Sequence, residues 1–356
     1  MIRAHRLPPL LRRLLRPLLD PYRRYQHAKL IHAVRVSLGL LASIMLTTGI
    51  NLPHGEWASV TMLVVIGGLQ HHGNIGKKAA ERAIGTLVGA GIGLLLVLQQ
   101  TWLGMPSLTY FVMSVVCGFF SYHAIGKGGY TALLAGITVF IVAGHGDNPL
   151  SDGLWRGVDI LIGIALALAF SFALPLYAVF SWRYNLADSL RDCATIYGRI
   201  INGQSVTDDE HLKLMGRLNT VMVQLRSLMP SVSKEVKISM TELDALQRNL
   251  RMCVSTLEIL ANTRPDVSDA QAMGQLQSVL KAEHRLIRVQ LVGMARALKT
   301  GSYQRLNRPV EPAREASLEA PVYSPLDGYR LLILQLVANI EEMRQRLAKT
   351  APRWSI

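Results

Sequence analysis

Charge is what this chain lacks over its first half. Between Leu30 and Phe180 there are six Lys or Arg (Arg35, Lys77, Lys78, Arg82, Lys127, Arg156) and five Asp or Glu (Glu56, Glu81, Asp147, Asp152, Asp159) in 151 residues, against 51 charges in the other 205. A soluble domain carries roughly a quarter of its residues as charges and has no reason to segregate them. The scarcity excludes an ordinary soluble fold here and implies a membrane domain. Cysteine is scarce too: Cys117, Cys193 and Cys253 are far apart, odd in number and without Cys-x-x-Cys or Cys/His spacing. That excludes a disulfide framework and a zinc module, and leaves small buried hydrophobes in a reducing compartment. A P-loop, a Gly-x-Gly-x-x-Gly turn, a His-Glu-x-x-His pair and the kinase signatures are missing from the second half, so ATP-driven transport in cis is not expected. With no nucleophile–base or metal constellation, the reading is a non-enzyme with no catalytic residue, metal or cofactor.

The net charge of +14 needs its location before its meaning. Residues 1–29 hold eight Lys or Arg against one Asp, and residues 181–356 hold 24 against 18. No aromatic-basic motif of a nucleic-acid reader accompanies them, so nucleic acid is not an expected partner. Basic flanks retained on the cytoplasmic side of membrane helices explain the excess.

A bilayer core about 30 Å thick takes around 20 mostly uncharged residues in a helix. The charge-free gaps are 20 residues from Arg35 to Glu56, 20 from Glu56 to Lys77, 44 from Arg82 to Lys127, 19 from Lys127 to Asp147 and 23 from Asp159 to Arg183. They predict six spans, near 30–50, 57–70, 83–99, 106–123, 129–144 and 157–179. Loops 51–56, 100–105 and 145–154 contain no Lys or Arg, whereas the loops with Lys77, Lys78, Arg82 and Lys127 are basic. Alternation then places both termini in the cytoplasm of a bacterial inner membrane. Trp57, Trp102, Trp155 and Trp182 all fall at predicted helix ends, where interfacial aromatics belong. The arm 1–29 has no signal-like cleavage site. It is either a short amphipathic helix on anionic lipid or a topology-setting leader.

From residue 181 the pattern becomes amphipathic helices, over 183–203, 209–229, 239–262, 268–299 and 326–349, divided at Asn202-Gly203, Pro230 and Arg264-Pro265. Strand alternation is nowhere sustained. The expected fold is therefore all-α: a basic arm (1–29), a six-helix transmembrane bundle (30–180) and a cytoplasmic helical bundle (181–356).

Within the third span, Gly85, Gly89 and Gly93 recur every four residues, a helix-packing stripe that could also border a solute path. Arg82, read as standing at the start of that helix, puts a cation beside the positive end of the helix dipole and so favours an anion; retention of a positive charge inside explains it equally.

These residues resemble a known family. Trp57 with Thr61 one turn on, the run Arg82–Gly85–Thr86–Gly89, the pattern Trp155-Arg156-x-x-Asp159-x-x-x-Gly163 and Pro175 closing the last span are similar to the fusaric acid resistance, or aromatic acid exporter, family. The resemblance covers essentially the whole chain and is closest to short, single-unit members. Larger members carry two such units, which implies that this one forms a homodimer. Plant aluminium-activated malate transporters are similar in architecture and conduct organic anions. The family implies proton-coupled export of aromatic carboxylic acids or related toxic organic acids across the lipid bilayer.

The residues are compatible with that chemistry. Arg35 is a cation one turn inside span one, costly in lipid and so expected to face protein or water. Arg156 and Asp159, at i and i+3, can pair. The pair either locks span six to its neighbours, or Asp159 carries a proton while Arg156 attracts the carboxylate. His71, His72 and His123 lie near inner helix ends and titrate near physiological pH, as proton relays or as ordinary end residues; His54 and His145 share that ambiguity at the outer face. Arg35, Arg82 and Arg156 are thus the expected substrate-binding residues. A passive organic-anion channel would use the same cations without coupling to protons. A membrane-anchored scaffold would need none of the intramembrane charges.

Overall fold

The computed structural model describes residues 20–66, 71–144, 150–202, 208–262, 280–302, 304, 306 and 325–354, and among these every regular element is helical. Residues 1–19 of the basic arm lie outside the described residues, as do His145 and Asp147. The chain divides into two compact units: residues 26–176 in one, and residues 1–25 with 177–356 in the other.

The apolar unit holds α2 (Ala28–Gly49), α3 (Glu56–Ile66), α4 (His72–Leu103), α5 (Pro106–Ile125), α6 (Gly129–Ala143) and α7 (Leu150–Ala173). Each predicted stretch overlaps one of them. Four, α2, α4, α5 and the Leu154–Ala173 part of α7, are long and apolar enough to cross a membrane; α3 has 11 residues and α6 has 15. At 1.5 Å per residue these two are about 16 and 22 Å long, short of about 30 Å of hydrocarbon. The sequence predicts them at 57–70 and 129–144; α6 agrees with that to one residue, and residues 67–70 lie outside the described ones. Each short helix buries one face and exposes another: Val60 and Leu63 of α3 and Leu133, Ile137 and Phe140 of α6 are exposed. Ala58, Met62 and Ile66 of α3 and Val139 and Ala143 of α6 are fully buried, while Leu41, Met45, Leu95, Phe111, Val115 and Phe119 of the longer helices are exposed. Those apolar faces suit lipid.

The start of α4 differs from the sequence reading by eleven residues. The helix begins at His72 and runs through Lys77, Lys78, Glu81 and Arg82, with Lys77 and Glu81 paired at 3.6 Å across one turn. Charges mark where a helix leaves lipid, but they do not stop it. Arg82 is therefore ten residues in, and the dipole argument, which fades within the first turn, does not apply to it. The far end is sharper: Gly104 adopts φ +62°, a left-handed cap, and Pro106 opens α5 two residues later.

The second unit contains α1 (Pro21–Gln26), α8 (Ala178–Ile201), α9 (Asp208–Val236), α10 (Met240–Asn262), α11 (Lys281–Thr300), α12 (Pro325–Thr350) and a 3₁₀ turn at Ala351–Arg353. Its core runs through Leu186, Leu190, Leu218, Leu246, Leu291 and Ile340, positions that recur at helical spacing and bury one stripe per helix. The first two free N–H groups of α8, from Ala178 and Val179, donate to the Glu235 carboxylate at 3.0 Å each, a side-chain cap supplied by the end of α9. Trp182 is not interfacial: it is 1% exposed and stacks on Trp354 at 4.9 Å between ring centroids. The charge-free stretch before Arg183 combines the end of a membrane-type helix with the start of a core helix, and hydropathy does not separate the two. Pro230 does not divide the chain either, since α9 continues through it to Val236. Tyr22 and Tyr25 of α1 pack on Tyr184, and the Tyr25 hydroxyl donates to Asn185 Oδ1 at 2.7 Å. Of the stretch 268–299, residues up to 279 lie outside the described ones, as does most of the Pro-rich stretch 301–325.

Candidate functional site

The apolar unit buries three groups that hydrocarbon tolerates only with partners: Arg35 on α2 at 1% exposure, Arg82 on α4 at 3% and Asp159 on α7 at 0%. Helix periodicity brings them inward. On α2 the buried residues are Arg35, Gly39, Ser43 and Thr47, one every four positions, while Leu38, Leu41 and Met45 face outward. Arg35 Nη2 lies 2.9 Å from His32 Nδ1 one turn before it, and His71 is within electrostatic range of Arg35. Further along, the Ser43 and Ser59 hydroxyls are 3.0 Å apart, joining α2 to α3.

On α4, Arg82 shares its buried face with Ile75, Ala79, Thr86 and the three glycines. Its Nη2 donates to Thr61 Oγ1 of α3 at 3.4 Å. Glu81 beside it is taken by Lys77, so among the described residues Arg82 has a hydroxyl and no carboxylate as its partner. The glycine stripe is the surface on which α6 lies. A Cβ at Gly85 would stand 2.7 Å from the Thr131 carbonyl oxygen, one at Gly89 2.5 Å from that of Ala135, and one at Gly93 2.8 Å from Val142 Cβ. This face is consumed within the chain and is not open to a second copy. Gly163 of α7 makes a like approach to the Ala58 carbonyl and the Thr61 side chain of α3.

The pair anticipated between Arg156 and Asp159 does not form. Arg156 donates through Nη1 to the Ile141 carbonyl of α6 and holds its guanidinium 6.0 Å from the Trp57 ring centroid. Asp159 is fully buried, with neither carboxylate oxygen hydrogen-bonded. Residues three apart differ by about 60° around a helix, enough here to turn Asp159 into the interior and leave Arg156 half-buried. Near Asp159 is a polar cluster at the starts of α3 and α7. His54 Nε2 is 3.4 Å from Asp152 and its Nδ1 3.9 Å from Glu56, and His54 and Glu56 both act electrostatically on Asp159.

The three relay histidines are not together. His71 precedes α4 and is half-buried near Arg35. His72 opens α4, donating its backbone N–H to the Leu176 carbonyl at 2.7 Å with its ring edge-on to Phe172. His123 stands on the exposed side of α5 against Phe119 and Tyr122. His32, the hydroxyl role of Thr61 and Tyr130, whose hydroxyl reaches the Val64 carbonyl at 3.5 Å beneath Lys78, are the members that sequence reasoning missed. A signal existed for His32, three residues before a buried Arg; Thr61 and Tyr130 meet Arg82 and Val64 across helices and left none. Among the described residues no group of three His, Cys, Asp or Glu has a metal-holding arrangement.

The chemistry open to this interior is recognition of charge: guanidinium groups and hydroxyls converge on α3, with a carboxyl on the neighbouring α7. A family model described as the fusaric acid resistance protein family matches residues 29–352. The inner membrane protein YeeA of Escherichia coli (strain K12) is 28% identical over 346 residues, covering 91% of this chain and 95% of that protein. With the match running through the apolar helices, the buried charges and nearly all of the helical unit, the chain is a membrane protein that belongs to the fusaric acid resistance protein family.

Proposed function

We propose that the protein is an inner-membrane efflux transporter for aromatic and other organic acid anions, driven by protons. The observation that carries this reading is Arg82, a guanidinium buried in an apolar unit and held by the Thr61 hydroxyl. A buried cation without a carboxylate is expensive, and an anionic substrate is the partner that would make it worth keeping. Family membership supports the transport class, and the name of the Escherichia coli relative, an inner membrane protein, supports the inner membrane.

In this reading the substrate carboxylate docks on Arg82 in place of Thr61, with Arg35 and Arg156 completing the cationic path. Asp159 carries the proton. The His54, Glu56 and Asp152 cluster collects it on the outer side, and the half-buried His71 and His72 release it inside ahead of the exposed His123. Entry of a proton then drives exit of an anion. All six apolar helices of residues 30–180 belong to the membrane domain. The arm 1–29 and the domain 181–356 are cytoplasmic, and two copies pair through a face other than the glycine stripe.

The test sets folded yield beside efflux of aromatic carboxylic acids from cells. Arg82→Gln and Arg35→Gln should leave detergent-extracted yield near normal while weakening substrate binding about ten- to a hundred-fold, the loss of a charge-assisted hydrogen bond worth about 1.5–3 kcal/mol. Normal yield with normal efflux in both variants would remove these arginines from the mechanism.

A further inference from the structure

The helical unit contains a second place where cations converge, independent of the membrane path. Between α8 and α11 opens a cleft of about 540 Å³ lined by five basic residues, Arg191 and Arg199 from α8 and Arg288, Arg296 and Lys299 from α11. On α8 the lining residues recur as 191, 195, 198 or 199, and 202, and on α11 as 288, 292, 295 or 296, and 299. Each helix therefore turns a single face to the cleft. None of the described lining residues is acidic. Two of the cations are held from outside the cleft, Arg199 by Glu210 at 2.7 Å and Lys299 by Asp188 at 2.6 Å. Arg191, Arg288 and Arg296 form no ion pair among the described residues. All three are exposed along the same cleft, where like charges gathered on one face are unfavourable without a counter-anion.

The space is also kept clear. Gly198 sits in the wall, and nothing lies within 4 Å of where its Cβ would be. Val292 and Ala295 give the opposite side an uncharged patch.

We propose that this cleft binds a small soluble organophosphate carrying two or more negative charges. Three unpaired guanidinium groups call for more than a single charge, which a monocarboxylate cannot bring. Their planar forks match the oxygens of a phosphate group. A volume in the range of small-molecule sites leaves room for an organic body against Val292 and Ala295. The transported acid and this ligand are thus of different classes, and the cleft is a separate ligand site in the helical domain.

The experiment uses the full-length protein in phosphatidylcholine nanodiscs, with thermal unfolding followed as sodium pyrophosphate is added at ionic strength matched by sodium chloride. Pyrophosphate should raise the unfolding midpoint beyond the chloride control, by an amount that grows with the logarithm of its concentration. In the double variant Arg288→Gln/Arg296→Gln, both exposed positions, the apparent affinity should fall at least about tenfold. Gly198→Leu, which fills the space without changing charge, should weaken binding as well. A response no larger than chloride, or one equal in wild type and both variants, overturns the proposal. A second arm omits pyrophosphate and replaces part of the phosphatidylcholine with phosphatidylglycerol. Stabilisation there that is lost in the double variant, with no response to pyrophosphate, also overturns it, since the cleft would then take a singly charged lipid headgroup.

Discussion

At the scale of single residues, the helical unit holds a buried histidine whose protonation couples to its stability. The Tyr197 hydroxyl and His284 Nδ1 are 2.6 Å apart in the core, beside the buried Glu283. Burial pushes the His284 ring below its ordinary value of 6.5, with the Glu283 charge opposing the shift. The folded state thus prefers the neutral ring, while the unfolded ring takes up a proton as pH falls through about 6.5. Below that point the unfolded state binds more protons than the folded one, so stability declines on acidification, by at most about 1.4 kcal/mol per pH unit for one group. Thermal unfolding of the full chain from about pH 7.5 to about pH 5 should show that decline, and His284→Gln should flatten it. Equal slopes in the two proteins would assign the effect elsewhere. The two cysteines of this unit are chemically quiet by the same cause. Cys193 and Cys253 are fully buried, and burial pushes both thiols up, Cys253 to about 12. Their inertness was readable from residue type and spacing; the Tyr197–His284 contact, 87 positions apart, was not.

Among the elements, the α4–α6 contact makes a demand on the sequence that three glycines meet. A side chain at Gly89 would meet the Ala135 carbonyl and Thr138, so Gly89→Leu forces two backbones apart. Overpacking costs about 1–3 kcal/mol and more when backbone must move, and the yield of folded protein should drop. Gly91→Leu, on the same helix with nothing within 4 Å, should leave yield unchanged. Equal yields for the two would show that the stripe does not carry the packing. The four-residue period announced a small-residue face, but the partner helix comes from 40 or more residues downstream, and no local pattern names it. Boundaries failed for a related reason. The charges at the start of α4 and Pro230 within α9 do not stop their helices, and Trp182 is buried against Trp354, whose ring stacks on it.

For the whole molecule, the contrast between a charge-poor first half and an amphipathic second half foretold helices throughout, and one family model spans both. The buried charges were legible as rare residues in apolar surroundings; their partners were not, because Thr61 and Arg82 lie 21 positions apart and on different helices. On the proposed reading, the buried cations exist to move an organic anion in exchange for protons. Its most direct test is flux of a radiolabelled aromatic carboxylate in proteoliposomes containing the purified full chain, with and without an imposed pH gradient. Uptake against the substrate gradient is expected when the pH gradient is imposed, with its loss when a protonophore is added and a rate about ten- to a hundred-fold lower with Arg82→Gln at subsaturating substrate. Flux that only dissipates the substrate gradient and ignores pH would contradict proton coupling, and no flux above protein-free liposomes would contradict transport itself.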